Sequence, residues 1–122
     1  MKISDIGLEL IRQYEGFSAT TYLCPARKLT IGYGHVILKG ENFSTDGISK
    51  ENAEILLKQD VIIAQQAVNR LVITRLLQNQ FDALVSFVYN VGGKAFEKST
   101  LLRFLNENKL ELAAEQFSKW VF

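Results

Sequence analysis

The sequence is poor in the residues that build disulfide-linked and zinc-stabilised folds. It has one cysteine and one histidine among 122 residues, which excludes an internal disulfide and makes a structural zinc site unexpected. Its 14 basic and 13 acidic residues give a net charge of +1, which disfavours a dedicated nucleic-acid binder and a polybasic membrane binder. The aliphatic run Val61–Ala64 is too short to span a membrane, and the N-terminus does not resemble a signal peptide. We therefore expect synthesis in a cytoplasm and no membrane insertion.

What the sequence does have is enough apolar material for one packed domain. Hydrophobic residues make up 48% and charged residues 22% of the chain, which are ordinary values for a globular protein. A chain of this length buries about two thirds of the surface that it exposes when unfolded. No internal repeat and no low-complexity linker divides it, so we expect a single domain.

Hydrophobic periodicity and turn residues predict an α+β fold that is mostly helical. A sheet lobe at about 15–48 would contain a small, irregular antiparallel sheet, because β-forming residues there are punctuated by Pro and Gly. A connecting helix at about 49–71, capped by Ser49, would join it to a helical lobe at about 1–14 and 72–122. The elements expected in the helical lobe are helices over 3–14, over 75–90, from Ser99 or Thr100 to Asn106, and from a turn at Asn108 and Lys109 to the end.

Glu15 is the first candidate for a chemical role. It ends the predicted first helix and faces the predicted sheet, and a junction between two such lobes favours a cleft. A carboxylate held there against apolar neighbours can act as a general acid, because burial raises its pKa. The alternative is a solvated glutamate at a helix end, which describes most glutamates.

The residues that surround Glu15 resemble the signature of the phage-type lysozymes, glycoside hydrolase family 24. The resemblance covers essentially the whole chain and implies a lysozyme-like order of N-terminal helix, small sheet lobe, long connecting helix and helical lobe. The segments that carry it are, in chain order, Glu15-Gly16, Tyr22, Thr30-Ile31-Gly32-Tyr33-Gly34-His35, the run Gln78–Phe87, Asn90-Val91-Gly92, Phe96, and Ser99–Leu102 with Leu105-Asn106.

The resemblance implies three catalytic positions. The family uses a Glu, an Asp nine positions later and a Thr six positions after that, and these positions hold Glu15, Cys24 and Thr30 in this chain. Glu15 would protonate the glycosidic oxygen as the bond breaks. Thr30 would hold a water or the substrate near the anomeric carbon, the alternative being a local hydrogen bond within a strand.

Cys24 departs from the family pattern and has two interpretations. A lone cysteine is usually a small buried hydrophobic residue. A thiolate at this place would instead stabilise or attack the positively charged anomeric carbon, provided that its pKa is lowered, to which Arg27 and Lys28 could contribute. Arg27 is a second departure, because the family usually has Gly there. If the turn needs a positive φ, Arg27 costs about 1 kcal/mol of strain.

Five further residues complete the predicted set. His35 is expected to be structural and paired with a carboxylate, for which Asp60 in the long helix is the best candidate. Tyr22 and Tyr33 would line the sugar sites, with core packing as the equal alternative. Asn90 would direct its amide into the cleft or, alternatively, would simply end a helix before Gly92.

The end of the sequence is a third departure. Members of the family continue past Trp120 with a basic segment and another helix that packs across the helical lobe. We therefore expect that the C-terminal helix of the family is absent and that the chain is truncated.

The function implied by the resemblance is that of an endolysin, a muramidase that cleaves the β-1,4 bond between N-acetylmuramic acid and N-acetylglucosamine in peptidoglycan. No metal and no organic cofactor is implied. The expected protein is a monomer that waits in the host cytoplasm until a holin-like membrane protein gives it access to the cell wall. Two alternatives remain: an inactive, truncated prophage remnant, and a lytic transglycosylase that uses Glu15 alone.

Overall fold

Helix α1 (Asp5–Glu15) begins and ends with recognisable caps. Ser4 Oγ accepts a hydrogen bond from the backbone N–H of Gly7 at 3.1 Å, which satisfies one of the free donors of the first turn. The backbone N–H of Gly16 donates to the carbonyl of Arg12 at 2.8 Å and closes the last turn. These contacts belong to a computed structural model, which describes residues 1–118. The predicted first helix is therefore confirmed, and the candidate acid is its last residue.

The predicted antiparallel sheet is also present and has three strands in sequential order. Tyr22 pairs with Thr30 across the first two strands, and Ile31 pairs with His35 across the last two. An irregularity in the pairing precedes Tyr22 and makes the sheet uneven. The strands are β1 (Ser18–Leu23), β2 (Leu29–Gly32) and β3 (His35–Val36).

A three-residue hairpin loop joins β1 to β2. The backbone N–H of Arg27 donates to the carbonyl of Cys24 at 2.7 Å, and the backbone N–H of Cys24 donates to the carbonyl of Lys28 at 3.0 Å. Pro25 occupies the second position of the turn, which its fixed φ suits. Arg27 has φ 62°, so it takes the left-handed place that usually belongs to glycine in such a loop. The turn thus has the positive φ that the sequence analysis considered for Arg27.

Five helices follow, and the sequence predicts four of them. Ser49 Oγ accepts from the N–H of Asn52 at 3.1 Å, and Ser99 Oγ accepts from the N–H of Leu102 at 3.0 Å, so both serines are caps. Helix α4 is missing from the prediction because five residues are too few for a periodic pattern. The predicted extension of the last helix to the end of the chain, including Trp120, lies outside the described residues. The helices are α2 (Lys50–Leu71), α3 (Gln78–Val91), α4 (Gly93–Glu97), α5 (Thr100–Asn106) and α6 (Leu110–Ser118).

The chain forms two compact units by contact, and each has its own buried residues. The sheet unit comprises Glu9–Val61, and the helical unit comprises Met1–Leu8 with the residues from Ile62 onward. The sheet unit includes more than the strands because the second half of α1 and the first half of α2 group with them. Its buried side chains are Ile11, Thr30, Ile31, His35, Ala53, Leu57 and Val61. Those of the helical unit include Val68, Phe81, Asp82, Leu84, Val85, Phe87, Val88, Phe96, Leu101, Leu102 and Leu105.

A buried carboxylate anchors the N-terminal segment within the helical unit. Asp82 of α3 is 7% exposed, and its Oδ1 accepts hydrogen bonds from the backbone N–H of Ser4 at 3.0 Å and from Gln78 Nε2 at 2.8 Å. Its second oxygen accepts from the hydroxyl of Ser4. Ile3 is held in a similar way, since its N–H donates to Gln65 Oε1 at 2.7 Å. Both oxygens of the buried carboxylate accept hydrogen bonds, three in all, which offsets the cost of its burial.

Candidate active site

The Glu15 carboxylate lies against the backbone of the turn between β2 and β3. Gly34 in this turn has φ +80°, and a Cβ placed on it would lie 2.6 Å from Oε2 of Glu15. A side chain at position 34 would therefore strain the backbone and push the carboxylate away. The glycine before His35 thus leaves room for the Glu15 carboxylate, a role that the motif alone does not reveal.

Tyr22 is affected by two of the three predicted catalytic residues, Glu15 and Cys24. Its burial, and then the charges of Glu15 and Cys24, raise the pKa of the Tyr22 phenol. The charges of Glu15 and Cys24 therefore act on Tyr22, which pairs with Thr30 across the first two strands.

Cys24 and Thr30 are neighbours at the base of the hairpin. Hydrogen bonds from the backbone N–H of Lys28 and, to a smaller extent, from the Thr30 hydroxyl lower the pKa of the half-buried Cys24 thiol. Of the two neighbours expected to help lower this pKa, Lys28 does so through its backbone N–H, which the hairpin directs at the sulfur.

Thr30 is 1% exposed, which constrains what its hydroxyl can reach. Oγ1 lies 2.9 Å from the carbonyl of Lys28, and it is also within hydrogen-bonding range of the Cys24 sulfur. A hydroxyl has one proton and two lone pairs, so it can donate to the carbonyl while it accepts from a thiol, or donate to a thiolate instead. The Thr30 hydroxyl can therefore form a hydrogen bond with Cys24 in either protonation state of the sulfur.

His35 is buried and forms the centre of a charged cluster in the sheet unit. Its Nδ1 lies 2.7 Å from Oδ2 of Asp60, which is the predicted contact, and its Nε2 lies 2.9 Å from Oε1 of Glu41. Glu41 also accepts from the backbone N–H of Leu38 at 2.6 Å. The sequence analysis missed Glu41, because nothing in the polar loop distinguishes one carboxylate from another before the loop is folded.

The charges of this cluster depend on one another. Burial alone would lower the pKa of His35, but the hydrogen bonds to Asp60 and Glu41 outweigh it and raise that pKa. The backbone N–H of Leu38 and then the imidazole lower the pKa of Glu41. Burial raises the pKa of Asp60, so its anionic form relies on the imidazolium beside it. Two carboxylates on two ring nitrogens favour the doubly protonated ring.

The remaining predicted residues lie in different surroundings. The Tyr33 ring is half-buried and contacts the Phe17 ring, with their centroids 5.6 Å apart. Asn90 is exposed in the last turn of α3, in the helical unit. Its predicted part in substrate binding stays a prediction, as do the roles of Tyr22 and Tyr33.

An ion pair that the sequence analysis missed ties α1 to α2 inside the sheet unit. Arg12 Nε donates to Oε1 of Glu54 at 2.8 Å, and its Nη2 donates to the other oxygen of the same carboxylate. This fork-to-fork geometry is the strongest form of an Arg–carboxylate contact. Glu54 raises the pKa of Arg12, and Arg12 lowers the pKa of Glu54. Arg12 lies one turn before Glu15, so the pair holds the end of α1 that carries the candidate acid.

No group of three or more His, Cys, Asp or Glu side chains within residues 1–118 is arranged to hold a metal ion. None of the helices in this part of the chain is long and apolar enough to cross a membrane.

Several known proteins are similar to this chain. Residues 12–122 match the family model described as phage lysozyme. The chain is 44% identical to an endolysin of Bacillus phage PZA, over 98% of this chain and 46% of the relative, so that it spans about half of that protein. It is 40% identical to an endolysin of Acyrthosiphon pisum secondary endosymbiont phage 1, over 98% of this chain and 80% of the relative.

The chain is also similar to a solved structure. The muramidase domain of SpmX from Asticaccaulis excentricus superimposes with a TM-score of 0.85 at 41% identity, over 98% of this chain and 79% of that one. The α+β, mostly helical fold class predicted from the sequence is confirmed, and so is the resemblance that Glu15 and the run from Thr30 to His35 carry. The chain belongs to the phage lysozyme family.

Proposed function

We propose that the chain is a muramidase of the endolysin type, which hydrolyses the β-1,4 bond between N-acetylmuramic acid and N-acetylglucosamine. The observation that carries this proposal is the contact of the Glu15 carboxylate with Gly34, in the same small sheet whose first hairpin carries Cys24 and Thr30. Support comes from relatives named endolysin and from a similar muramidase domain. An acid beside a nucleophilic or anionic group is the arrangement that glycosidic bond cleavage needs.

In the first step, Glu15 gives its proton to the glycosidic oxygen while the bond from that oxygen to the anomeric carbon breaks. The positive charge that develops at the anomeric carbon needs an electron-rich partner. Cys24 supplies it as a thiolate, which the Lys28 N–H and the Thr30 hydroxyl stabilise.

In the second step, water completes the hydrolysis. If the Cys24 sulfur has formed a bond to the anomeric carbon, water displaces it, and the Glu15 carboxylate takes up the proton of that water. Sulfur leaves as the thiolate, and the sugar keeps its original anomeric configuration. Thr30 acts through Cys24 as a positioning residue, because its own hydroxyl is buried.

The place of action is part of the same proposal. The chain works as a monomer on the cell wall, to which a holin-like protein gives it access from the host cytoplasm. The endolysin names of its relatives support this context. Sedimentation of the purified chain, together with lysis of cells that express it with and without a holin, tests both statements.

The main test is hydrolysis of purified peptidoglycan, followed by turbidity and by analysis of the products. Glu15→Gln keeps the shape of the side chain but removes the acidic proton, so we expect activity to fall by about 10²-fold or more. Glu51→Gln, which changes an exposed carboxylate in the first turn of α2, is the matched control and should remain active. New reducing ends support hydrolysis, whereas anhydro sugars would indicate a lytic transglycosylase and no product an inactive remnant. Full activity of Glu15→Gln would overturn the proposal.

A second test addresses Cys24, which is the only thiol of the chain. We expect alkylation and Cys24→Ala to remove most activity and Cys24→Asp to retain it. Retention of anomeric configuration, followed by NMR, would identify sulfur as the nucleophile. Full activity after alkylation, or in Cys24→Ala, would overturn the proposed roles of Cys24 and Thr30 and leave Glu15 as the active group.

A further inference from the structure

The sheet unit carries a row of apolar side chains that is turned to solvent at one end of the strands. Leu23 of β1 pairs with Leu29 of β2, and on the other side of Leu29 its carbonyl accepts from the backbone N–H of Ile37 at 2.9 Å. Residues paired in this way across antiparallel strands point to the same face of a sheet. Leu23 is 59% exposed, Leu29 is 55% exposed, and Leu38, the next residue in the chain after Ile37, is 64% exposed. Contiguous exposed apolar residues mark an interaction surface, whereas isolated ones do not.

Positive charge borders this row. Arg27 and Lys28 immediately precede the second leucine of the row, and Lys39 immediately follows the last one, and all three side chains are exposed. Residues 16–40 contain no Asp or Glu. Although the whole chain has a net charge of only +1, this segment therefore carries no negative side chain. We call the surface the sheet tip, and its residues are Leu23, Arg27, Lys28, Leu29, Leu38 and Lys39.

The first carboxylate that follows the cationic segment is turned inward. Glu41 Oε1 lies 2.9 Å from Nε2 of the buried His35, and it accepts from the backbone N–H of Leu38 at 2.6 Å. The charge of Glu41 is thus directed at the imidazole, and the sheet tip keeps its positive character.

An anionic lipid surface matches both properties of the sheet tip. Its headgroups attract lysine and arginine, and the boundary between headgroups and acyl chains accepts apolar side chains. A soluble polyanion would use the cations and leave the leucines in water. A second copy of the chain would bring like charges together, which disfavours self-association through this surface.

We infer that the sheet tip docks reversibly on an anionic lipid bilayer. The leucines enter the headgroup boundary, and Arg27, Lys28 and Lys39 face the lipid phosphates. Docking of this kind is peripheral and needs no helix that spans the membrane. It goes beyond the proposed function, because hydrolysis of a glycan requires no lipid.

The test is co-sedimentation of the full chain with vesicles of phosphatidylcholine alone or of an equal mixture with phosphatidylglycerol. We expect binding to the mixed vesicles only, and weaker binding at high salt. The double variant Leu23→Thr/Leu29→Thr keeps β-forming residues and should weaken binding about tenfold. Its matched control is Ile73→Thr/Leu77→Thr, which changes two residues of the helical unit that are 79% and 65% exposed and should bind normally.

The charges are tested in the same way. Lys28→Gln/Lys39→Gln should weaken binding to the mixed vesicles about tenfold. Lys94→Gln/Lys98→Gln removes two exposed lysines of the helical unit and should leave binding unchanged. Hydrogen exchange of the unaltered chain should show protection by mixed vesicles over 23–29 and 37–39. This last measurement decides the matter even if a double variant does not fold, as judged by circular dichroism.

Four results would overturn the inference. They are no binding to mixed vesicles, equal losses in the variants and their matched controls, exchange protection outside the sheet tip only, and a loss in the lysine variant without one in the leucine variant, which would indicate a simple polyanion contact. Sedimentation without vesicles detects a dimer that the leucine variant abolishes, and such a dimer would assign the surface to a second copy instead. Because the vesicles contain no peptidoglycan, none of these results depends on the proposed function.

Discussion

The two compact units of the chain are held together by different interactions. The helical unit buries large apolar side chains of α3, α4 and α5, and both oxygens of its buried Asp82 carboxylate accept hydrogen bonds. The sheet unit buries fewer large apolar side chains and relies in addition on two charged links, Arg12–Glu54 and His35 with its two carboxylates. The candidate chemistry lies in the sheet unit. We conclude that the helical unit is stabilised mainly by packing, whereas the sheet unit depends on charges that respond to pH.

The largest expected effect is a loss of stability when apolar packing in the helical unit is disturbed. Phe96 is fully buried and contacts Phe87 edge to face, with ring centres 6.2 Å apart. Phe96→Ala should lower the free energy of unfolding by about 4 kcal/mol, because it removes buried area and leaves a cavity. Urea unfolding should show the same loss at about pH 5 and about pH 8. Phe104→Ala removes a half-buried ring on the next helix and should lower the free energy of unfolding clearly less. A loss for Phe96→Ala that changes strongly with pH would contradict the conclusion that packing stabilises the helical unit.

The next effect separates activity from stability in the sheet unit. Gly34→Ala should reduce hydrolysis by about 10²-fold, because the new methyl group takes the place of the Glu15 carboxylate. Gly40→Ala is the matched control: Gly40 also has a positive φ, +92°, but a Cβ there meets no atom within 4 Å. Both variants carry similar backbone strain, so equal activity losses in the two would show that contact with Glu15 is unimportant.

A smaller effect concerns the charged cluster and depends on pH. The folded protein raises the pKa of His35, so the cluster stabilises the fold fully below the unfolded pKa of about 6.5 and less as pH rises through the folded value. His35→Asn should therefore cost about 2 kcal/mol at about pH 5 and less at about pH 8. Thermal unfolding at both pH values checks this. Glu41→Gln should reproduce part of this pH dependence of stability. Equal melting temperatures of His35→Asn and the parent chain at both pH values would disprove the stabilising role of the cluster.

The smallest predicted effect is a gain in the stability of the fold. Arg27 has φ 62°, where an L-residue is strained and glycine is not. Arg27→Gly should raise the free energy of unfolding by about 1 kcal/mol, reduced somewhat by the greater freedom of the unfolded glycine chain. Arg27→Ala retains the Cβ and should bring no such gain. Equal stabilities of the Gly and Ala variants in urea unfolding would mean that the loop relieves the strain in another way.

Local signals in the sequence were sufficient for most elements. Ser49 and Ser99 cap helices where a serine precedes a helical pattern, and the punctuated β-forming segment is the sheet. The position of Asp60 on the predicted long helix also indicates its contact with His35, although the two residues are 25 positions apart. What sequence reasoning missed depends on the folded chain. The five-residue α4 has no period to detect, Glu41 reaches His35 only after its loop closes, and the donor that acts on Cys24 is a backbone N–H.

The contact between Ser4 and Asp82 has a kinetic consequence. These residues are 78 positions apart, and every hydrogen bond between them closes a loop that contains the whole sheet unit. Closing so long a loop costs chain entropy before any contact compensates for it, so such a contact tends to form late in folding. Removing it should then accelerate unfolding while hardly changing the folding rate. The contacts of the N-terminal segment should thus affect the unfolding rate of the native chain more than its folding rate.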